Sequence, residues 1–578
     1  MKKLLIGNEA VARGAYEAGL TLVSSYPGTP STEITECLAK YDDVYSEWAP
    51  NEKVAVEVAI GGSFVGGRTM ACMKHVGLNV AADPVFTVSY IGVNGGLVLC
   101  VADDPGMHSS QNEQDTRMVA MAAKVPVLEP SDSAECKEYT KLAFELSEKY
   151  DTPFIVRLST RVSHSQGLVE IGERTAPKGE SYTKNPQKNV MMPAMAKARH
   201  VFVEQRLNDL KEYAETSDIN TVEINDTKIG IITAGSSYQY AKEAFPNASY
   251  LKLGMVYPLP EKLIRDFAEK VETLYVIEEL DPVIETHCKK LGIKVHGKDI
   301  FPTIGEFNTT IIRKCISGEE LPKFKGEKDI PNRPPVMCPG CPHRGMYYVL
   351  HKLGLTVSGD IGCYTLGSLP PLQSVDTCVC MGASIGVAHG MEKSAGRDFT
   401  KNKVVSVIGD STFIHSGITG LIDIVYNKGN STVIILDNSI TGMTGHQQNP
   451  TTGFTIKMEP TKQVDLIKLC NAIGIDRVRV CDPFDIKGFE EVVKEEISVD
   501  EPSVIISQRP CALLKNVKFP GAIEINQDKC VKCKMCMRIG CPAISVKDGI
   551  VSIDATQCNG CGLCKNLCKV GAIGGSAR

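Results

Sequence analysis

Eight cysteines lie in one short window near the C-terminus of this 578-residue chain and follow two nearly identical spacings. The runs are Cys530-x2-Cys533-x2-Cys536-x4-Cys541 and Cys558-x2-Cys561-x2-Cys564-x3-Cys568. Tandem runs of this kind are typical of a small domain with two [4Fe–4S] clusters, because cysteines at every third residue converge three thiolates on a small volume. The fourth cysteine of each run ligates the other cluster. The predicted sets are therefore Cys530, Cys533, Cys536 and Cys568, and Cys541, Cys558, Cys561 and Cys564.

Other uses of these cysteines fit the spacing less well. Disulfides are unusual in a long chain without an export signal, and zinc sites use CxxC pairs rather than a triplet with a distant fourth cysteine. The window departs from the common two-cluster ferredoxin pattern at two places. Four residues precede Cys541, and Lys569 stands where a proline usually follows the last cysteine. Neither departure removes a ligand.

Length and charge narrow the class of protein. A chain this long predicts three or four domains, and its net charge of -5 argues against nucleic acid as a main partner. The N-terminal residues lack the long apolar core of a signal peptide, and no apolar run reaches the length of a membrane span. We therefore expect a soluble, cytoplasmic protein with no membrane partner, in a compartment where thiols stay reduced.

Short apolar runs alternate with helical patterns along most of the chain, which predicts doubly wound parallel sheets with crossover helices. The predicted fold class is therefore α/β multidomain, with a small α+β two-cluster domain at the C-terminus. Polar or proline-rich stretches at 178–188 and 322–335 are predicted linkers. The predicted domains are 1–177, 190–320, 336–512 and 520–578. The predicted strands are 20–25, 68–73, 96–102, 153–158, 228–234, 249–253, 273–278, 404–408, 432–436 and 503–507.

Polar side chains follow two predicted strands of the third domain. Strand 404–408 ends in Gly409-Asp410-Ser411, and strand 432–436 delivers Asp437-Asn438. Carboxylate and amide oxygens on neighbouring strand ends suit Mg²⁺ and its diphosphate ligands, and a glycine allows close backbone approach. The next loop, with Thr441 and Gly442, offers N–H groups and hydroxyls to phosphate. The alternative is an ordinary strand–helix–strand with turn residues.

This pattern resembles the thiamine diphosphate motif, Gly-Asp-Gly followed some 25–30 residues later by Asn-Asn, with two flanking residues changed here. The resemblance implies Mg²⁺ on Asp410, Asn438 and the backbone carbonyl of Ile440. It also implies a glutamate on another domain that handles the proton of the aminopyrimidine ring. Glu52, before a helix of small residues, resembles that glutamate, and Glu57 is the alternative. Taken alone, a glutamate at a helix start is more often a dipole or capping residue.

Four further positions are candidates for contact with cofactor or substrate. Thr29 lies in Tyr26-Pro27-Gly28-Thr29-Pro30-Ser31, which resembles a substrate-carboxylate loop, although a Pro/Gly turn capped by Ser31 explains it equally well. His75 is expected near the cofactor. Arg117 could pair with a carboxylate in bidentate fashion, with a surface ion pair as the alternative. His446 either contacts substrate or caps a turn.

The order of these parts resembles the alpha (large) subunits of indolepyruvate:ferredoxin oxidoreductases, within the 2-oxoacid:ferredoxin oxidoreductase superfamily. The stretches that carry the resemblance span the chain: YPGTPSTE at 26–33, KHVGLN at 74–79, CPGCPHR at 338–344, GDIGCYTLG at 359–367, GDSTFIHSGITGL at 409–421 and RPCALL at 509–514. It implies thiamine-dependent oxidative decarboxylation of aryl pyruvates, with coenzyme A as acyl acceptor and ferredoxin as electron acceptor. It also implies a smaller beta subunit, in a heterodimer or an alpha2beta2 assembly.

Three rival functions stay open at this point. They are the same chemistry on another 2-oxoacid, a non-oxidative thiamine decarboxylase, and a non-catalytic Fe–S electron-transfer subunit. A third cluster is also open. In sister oxidoreductases a cluster beside thiamine is held by a CxxC, a later Gly-Cys and a late Pro-Cys, and four cysteines match in order here: Cys338, Cys341, Cys363 and Cys511. The alternative is a loop whose cysteines pack as small hydrophobes.

Overall fold

The computed structural model describes residues 1–177, 181–320, 326, 330 and 334–575. These residues form two compact units, Met1–Gly326 and Glu327–Arg578. The linker predicted at 322–335 falls largely outside the described residues, as do residues 178–180 of the linker predicted at 178–188. In the described part of the chain, no helix combines the length and the apolar character needed to cross a lipid bilayer.

The larger sheet of the first unit has seven strands, and all of its neighbours are parallel except the pair at one edge. Its central strands are buried on both faces, as parallel strands covered by helices must be. In spatial order the strands are Met255–Tyr257, Val127–Leu128, Phe154–Ser159, Leu97–Asp103, Thr69–Lys74, Leu22–Ser25 and Tyr45–Trp48. An antiparallel pair lies beside it, Lys2–Ile6 with Gln166–Glu170. The helices are Gly7–Glu17, Thr32–Leu38, Glu52–Phe64, His75–Val80, Ala82–Ile91, Thr116–Ala123, Ser133–Tyr150 and Thr160–His164.

A smaller sheet of four strands completes the first unit. Its strand order is Thr273–Ile277, Asp226–Thr233, Ala248–Lys252 and Thr221–Glu223. The chain then crosses to the larger sheet, where Met255–Tyr257 adds an antiparallel edge strand. Side chains from both sheets, such as Leu99 and Leu251, share one apolar core. The helices are Pro186–Asn189, Pro193–Thr216, Gly235–Ala244, Glu261–Ala268, Val283–Lys290 and Thr309–Ser317.

The second unit is built on a six-stranded, fully parallel sheet. Its order is Thr377–Cys378, Thr356–Gly359, Val404–Gly409, Thr432–Asp437, Ser503–Gln508 and Arg477–Cys481. The helices are His343–Leu353, Ala383–Ala395, Arg397–Thr400, Asp410–Thr412, Ile418–Tyr426, Leu466–Ile473 and Ile486–Ser498, with a 3-10 turn at Cys363–Ser368 and a π-helical turn at Phe413–Gly417. The predicted parallel α/β architecture is confirmed in both units.

The C-terminal tail belongs to the second unit and contains little regular structure. Two short antiparallel pairs, Glu524–Ile525 with Ile573–Gly574 and Ile544–Lys547 with Ile550–Ile553, hold it together. Two 3-10 turns, Met535–Ile539 and Lys565–Leu567, follow cysteine-bearing loops. Apolar side chains of the tail, including Ile539 and Leu563, share a core with Met346 and Phe484 of the α/β body.

Candidate functional site

Asp410 and Asn438 stand at the carboxyl ends of two neighbouring parallel strands. Asp410 accepts hydrogen bonds from the backbone N–H groups of Ser411 (2.7 Å) and Ser439 (3.2 Å). The side-chain oxygen of Asn438 accepts from the N–H of Ile440 at 3.2 Å. Ser439 adopts a left-handed conformation with φ of 60°, which turns the chain sharply after the second strand. The segment after Asp437 therefore folds back over Asp410.

Asp410 is buried, and no lysine or arginine of the described residues forms an ion pair with it. Burial raises its pKa to about 8, and the nearby carboxylate of Asp437 adds to the rise. Hydrogen bonds from Ser411, Thr451 and Ser439 act in the opposite direction without offsetting it. Two buried carboxylates beside each other favour a cation, because an uncompensated buried charge is costly. The donor set is the hard-oxygen type that Mg²⁺ prefers.

The loop after Asn438 is held against the helix start that carries Asp410. Thr441 donates from Oγ1 to the hydroxyl oxygen of Ser411 at 3.0 Å, and its backbone pairs with Gln447 in both directions. Gly409 is required for a reason that the sequence did not give. A Cβ at this position would lie 2.7 Å from the ring of Tyr364, so the glycine makes room for that buried side chain.

Four cysteines surround a cavity of about 250 Å³ in the second unit, next to this loop. The backbone N–H of Cys511 donates to the carbonyl of Asn438 at 2.9 Å. A Cβ on Gly442 would lie 3.5 Å from the Cys363 sulfur. His446, which is largely exposed, lines the same cavity. The cysteines are Cys338, Cys341, Cys363 and Cys511.

Within this group, neighbouring thiols add to the rise in pKa that burial causes. Burial raises the pKa of Cys341 to about 12, and Cys338 and Cys363 contribute to the rise. Burial likewise raises the pKa of Cys363 to about 11, with contributions from Cys511 and Cys338. Two other cysteines of this unit, Cys378 and Cys380, are exposed. The sequence order thus picked out four cysteines that the fold does bring together.

The eight cysteines of the tail fall into two neighbouring groups. Burial raises the pKa of Cys536, and the thiols that add to the rise are those of Cys533, Cys530 and Cys568. Burial also raises the pKa of Cys564 to about 12, with contributions from Cys561, Cys541, Cys558 and then Cys536. We call these groups the outer set (Cys530, Cys533, Cys536, Cys568) and the inner set (Cys541, Cys558, Cys561, Cys564). Their membership includes the exchange of fourth cysteines that the tandem spacing predicts.

Arg344, three residues after Cys341, lies between the cavity cysteines and the inner set. Its side chain is buried, and burial lowers its pKa, while the thiols of Cys341, Cys541, Cys338 and Cys561 act to raise it. The guanidinium donates only to backbone carbonyls: those of Met337, Cys338, Ile539 and Gly540. Within the described residues no carboxylate forms an ion pair with it. A buried cation of this kind fits an anionic neighbour.

Within the described part of the chain, no three His, Cys, Asp or Glu side chains converge tightly enough to share a single metal ion. This concerns single ions such as tetrahedral zinc, whose thiolate ligands all lie about 2.3 Å from one centre. In a cubane cluster each cysteine ligates a different iron, so the thiolates are spaced more widely.

In the first unit, Glu52 begins the helix Glu52–Phe64 behind the N-cap Asn51, and its side chain is buried. A Cβ on Gly77 would lie 2.6 Å from the Glu52 Oε1, so the glycine lets the helix His75–Val80 pass closely over this carboxylate. Glu57 is exposed and pairs with Lys53 on the same helix. The alternative assignment to Glu57 is therefore wrong, because its carboxylate faces solvent.

His75 and Thr29 lie at the same edge of the larger sheet. His75 is buried, burial lowers its pKa, and its Nε2 lies 3.2 Å from the carbonyl of Asn112. Its other ring nitrogen, Nδ1, is buried with no hydrogen-bond partner among the described groups, which is unusual for a polar atom of a folded interior. Ser109 bridges the two loops: it donates to the Thr29 carbonyl at 3.2 Å and accepts from Lys74 at 2.9 Å.

Arg117 does not lie at a ligand surface. Its guanidinium is buried and bonded to Asp115 and Glu278, and it also donates to the carbonyls of Glu279 and Asp281. Burial opposes its charge, but Asp115 and Glu278 raise the pKa of Arg117 above its ordinary value. The predicted substrate contact is therefore wrong, because the guanidinium is buried and already bonded to carboxylates and carbonyls inside the fold.

Several residues of these sites carried no signal that the sequence reasoning used. The sequence pattern gives Asp437 no role beyond that of a neighbour of Asn438, and it gives no signal for Tyr364 or Thr451. Arg344 ends the segment Cys338-Pro339-Gly340-Cys341-Pro342-His343-Arg344. A basic residue so close to a CxxC pair was the available signal for it.

Comparisons with known proteins agree with this geometry. A family model described as "Pyruvate flavodoxin/ferredoxin oxidoreductase, thiamine diP-bdg" matches residues 13–224. Another, "Thiamine pyrophosphate enzyme, C-terminal TPP binding domain", matches residues 360–507, which include Asp410 and Asn438. The first match covers the segment with Glu52 and His75.

Three relatives extend the comparison. Indolepyruvate oxidoreductase subunit IorA of Pyrococcus horikoshii is 41% identical over 628 residues, covering 99% of this chain and 96% of the relative. The subunit of the same name from Archaeoglobus fulgidus is 42% identical over 613 residues, covering 99% and 97%. The 2-oxoglutarate synthase subunit KorA of Archaeoglobus fulgidus is 26% identical over 345 residues, covering 52% and 96%.

Parallel α/β sheets, the buried carboxylates at the strand ends and both family matches define a subunit of a thiamine-diphosphate-dependent oxidoreductase that acts on 2-oxoacids. More narrowly, the chain belongs to the family of indolepyruvate oxidoreductase subunit IorA. A subunit designation implies a partner subunit in the complete enzyme.

Proposed function

We propose that this chain catalyses the oxidative decarboxylation of aryl pyruvates, chiefly indolepyruvate and also phenylpyruvate and hydroxyphenylpyruvate. One 2-oxoacid and one coenzyme A thiol give aryl-acetyl-CoA, CO₂, one proton and two electrons. The electrons leave one at a time through Fe–S clusters to ferredoxin. The observation that carries the proposal is the hydrogen bond between Cys511 and the Asn438 carbonyl, because it joins a group of thiols directly to the diphosphate loop.

The inner and outer cysteine sets are proposed to hold one [4Fe–4S] cluster each. Their thiols neighbour one another in fours, and four converging thiolates are the donor set that such clusters take. The cavity cysteines are proposed to hold a third cluster. Support comes from the 250 Å³ cavity and from Arg344, a buried cation without a carboxylate partner that lies between this set and the inner one.

Asp410, Asn438 and the carbonyl of Ile440 are proposed to hold Mg²⁺, which compensates the buried carboxylates and the diphosphate. Ser411, Thr441 and Gly442 line the phosphate side of the same loop. Thiamine diphosphate, when bound, supplies the electron sink that makes loss of CO₂ from a 2-oxoacid feasible. The chain's residues supply position and charge.

The first unit is proposed to contribute proton handling and substrate orientation. Glu52 is buried at a helix start, where a carboxyl group can donate and accept a proton away from bulk water. His75 offers a buried ring nitrogen without a partner in the described structure. Thr29 is proposed to contact the substrate carboxylate. In the second unit, His446 at the edge of the cysteine cavity is proposed as a further substrate contact.

The complete enzyme is proposed to contain a smaller beta subunit, as a heterodimer or an alpha2beta2 assembly, and to use coenzyme A as co-substrate. A cytoplasmic location belongs to the same proposal, because exposed thiols and clusters persist where the compartment is reducing.

The test is anaerobic co-expression with the beta subunit, followed by an assay of 2-oxoacids for coenzyme-A-dependent reduction of ferredoxin and by iron analysis. Fastest turnover with indolepyruvate is expected. A clear preference for pyruvate or 2-oxoglutarate would assign another substrate, and aldehyde formation without a need for coenzyme A would indicate a non-oxidative decarboxylase. Absence of bound thiamine and of any 2-oxoacid oxidation would indicate a pure electron-transfer subunit.

Two matched pairs of variants locate the chemistry. Glu52→Gln should retain bound cofactor but lose turnover, whereas Glu57→Gln, on the exposed side of the same helix, should behave as wild type. Near-normal turnover of Glu52→Gln would remove its role.

Cys338→Ser with Cys363→Ser should lower the iron content per chain, whereas Cys378→Ser with Cys380→Ser should not. Equal iron contents would remove the third cluster.

A further inference from the structure

Positive charge in the tail is concentrated on one loop. Between residues 528 and 538 the chain carries Lys529, Lys532, Lys534 and Arg538 against the single acid Asp528, and all five side chains are exposed. Within the described residues, none of the four basic side chains forms an ion pair. We call these four residues the basic rim. Unpaired surface cations that lie together create a local positive potential.

Two residues of the basic rim directly flank, in sequence, the most exposed cysteine of the outer set. Cys533 lies between Lys532 and Lys534 and is exposed, and Val531 beside it has 64% of its surface exposed. Lys569, which follows Cys568 of the same set, is exposed as well. Among the cysteines of the two tail sets, Cys533 is therefore the exposed one, and exposed basic residues adjoin both it and Cys568 in sequence.

The inner set has the opposite environment. Asn559, between Cys558 and Cys561, donates to the carbonyl of Pro339 in the α/β body at 3.0 Å. Asn566 donates to the carbonyl of Phe484 at 2.8 Å. The loop at 554–565 carries only Asp554 and Lys565 as charged residues. The inner set thus packs on the body of the second unit, beside Arg344 and the cavity cysteines.

We infer that the basic rim is the docking surface at which electrons leave the protein, and that it recognises an acidic protein electron carrier. The inference rests on the proposed function and extends it by naming the docking surface and the charge of the partner that it fits. Arg344 lines one cavity with Pro339 and the four cysteines of the inner set. Cys564 of the inner set and Cys536 of the outer set belong to one core. The two electrons released per 2-oxoacid leave one at a time, to two one-electron carriers or to the two clusters of one carrier.

The test compares two variants with equal changes in net charge. The rim variant is Lys529→Glu, Lys532→Glu, Lys534→Glu and Arg538→Glu. The control variant changes four exposed lysines that form no ion pair in the described structure: Lys197→Glu, Lys228→Glu, Lys294→Glu and Lys487→Glu. Binding of an oxidised, acidic two-cluster bacterial ferredoxin to each anaerobically prepared holoenzyme is measured by calorimetry at low and high salt. Reduction of that ferredoxin is then measured and normalised to reduction of benzyl viologen by the same preparation.

The rim variant should bind the acidic ferredoxin at least about tenfold more weakly than wild type at low salt, and high salt should reduce the difference. The control variant should stay within about twofold of wild type. Cationic cytochrome c should show the opposite preference and bind the rim variant more tightly. Equal ferredoxin binding by the rim and control variants would overturn the inference.

Loading of the outer cluster needs its own check, because the rim residues alternate with its ligands. If the glutamate variant loses iron, the corresponding glutamine variant is used, and about half of the effect on a logarithmic scale is expected, since it removes charge without reversing it. The proposed function fails separately: it is contradicted if none of the 2-oxoacids tested supports reduction of viologen by the wild-type enzyme. Calorimetry needs no turnover, so it still decides the docking surface in that case.

Discussion

Two clusters of buried charge, one in each unit, differ in whether their carboxylates have cationic partners. In the first unit, Arg117 and Arg157 are buried among Asp103, Asp115, Glu129 and Glu278, and each guanidinium bonds directly to carboxylates. In the second unit, Asp410 and Asp437 are buried together with no cation from the described residues. Burial of charge alone therefore does not mark a functional site; a missing partner does.

The pKa values of the two clusters show the same difference. Burial would raise the pKa of Asp115, but Arg117 and Arg157 hold it at about 2. Burial raises the pKa of Asp410 to about 8, and the second carboxylate raises it further instead of lowering it. The first cluster holds its segments together, and the second leaves a place for an ion.

The largest effect is expected from a substitution in the buried carboxylate pair of the second unit, Asp410 and Asp437. Asp410→Asn should lower turnover by more than about a hundredfold, because it removes a ligand of an ion that provides several kcal/mol of charge stabilisation. Steady-state assays and Mg²⁺-dependent binding of thiamine diphosphate measure the effect. Asp423→Asn, on an exposed position of the following helix, is the control. Normal thiamine binding by Asp410→Asn would mean that the ion lies elsewhere.

A substitution in the charge cluster of the first unit should lower the free energy of unfolding rather than the affinity for substrate. Arg117→Leu leaves Asp115 and Glu278 buried without their partner, which should lower the free energy of unfolding by about 3–5 kcal/mol. Arg161→Ala removes an exposed pair with Glu306 and should cost less than about 1 kcal/mol. Chemical denaturation and the KM for the 2-oxoacid are compared. A raised KM with unchanged stability would restore a substrate role for Arg117.

Removing the ion should expose a pH dependence that belongs to Asp410. Its pKa rises from 3.8 to about 8 on folding, so between these values the folded state binds more protons than the unfolded state. In metal-free protein its contribution to stability therefore falls as pH rises through this window, by up to about 1.4 kcal/mol per pH unit. Unfolding midpoints from pH 5 to 8, with and without Mg²⁺ and thiamine diphosphate, measure it. The same slope in Asp410→Asn would assign it to another group.

Arg344 is the reverse case: a buried cation that forms no ion pair with a carboxylate of the described residues. Arg344→Gln should lower the reduction potentials of the proposed neighbouring clusters by on the order of tens of millivolts, because a nearby positive charge favours the more negative, reduced form. Potentiometric titration followed by electron paramagnetic resonance reads this directly, and Arg344→Lys should recover part of the shift. Unchanged potentials in both variants would remove the electrostatic role.

Much of the architecture was predictable because local signals agreed with one another. The buried strand at 404–408 and its partner at 432–436 ended in polar residues, and the structure makes them parallel neighbours. Sequence could not show that Met255–Tyr257 joins the larger sheet, because that pairing depends on packing between distant segments.

The sequence predicted the site residues that follow a regular spacing. It did not predict those whose role depends on whether the side chain is buried. The cysteine sets follow from spacing alone, and the structure groups the thiols in the same fours. Arg117 and Glu57 were misjudged because a sequence does not report whether a side chain faces its own fold or solvent. Asp437 and Arg344 were missed because their importance comes from partners that are distant in sequence or absent from the chain.

The most direct test is a single anaerobic turnover by the chain assembled with its beta subunit, thiamine diphosphate and Mg²⁺. Indolepyruvate and coenzyme A are added without ferredoxin, and the absorbance and paramagnetic resonance of the clusters are followed. The account predicts that the clusters become reduced as aryl-acetyl-CoA forms, and that Asp410→Asn prevents both events. Formation of product while the clusters stay oxidised would contradict it.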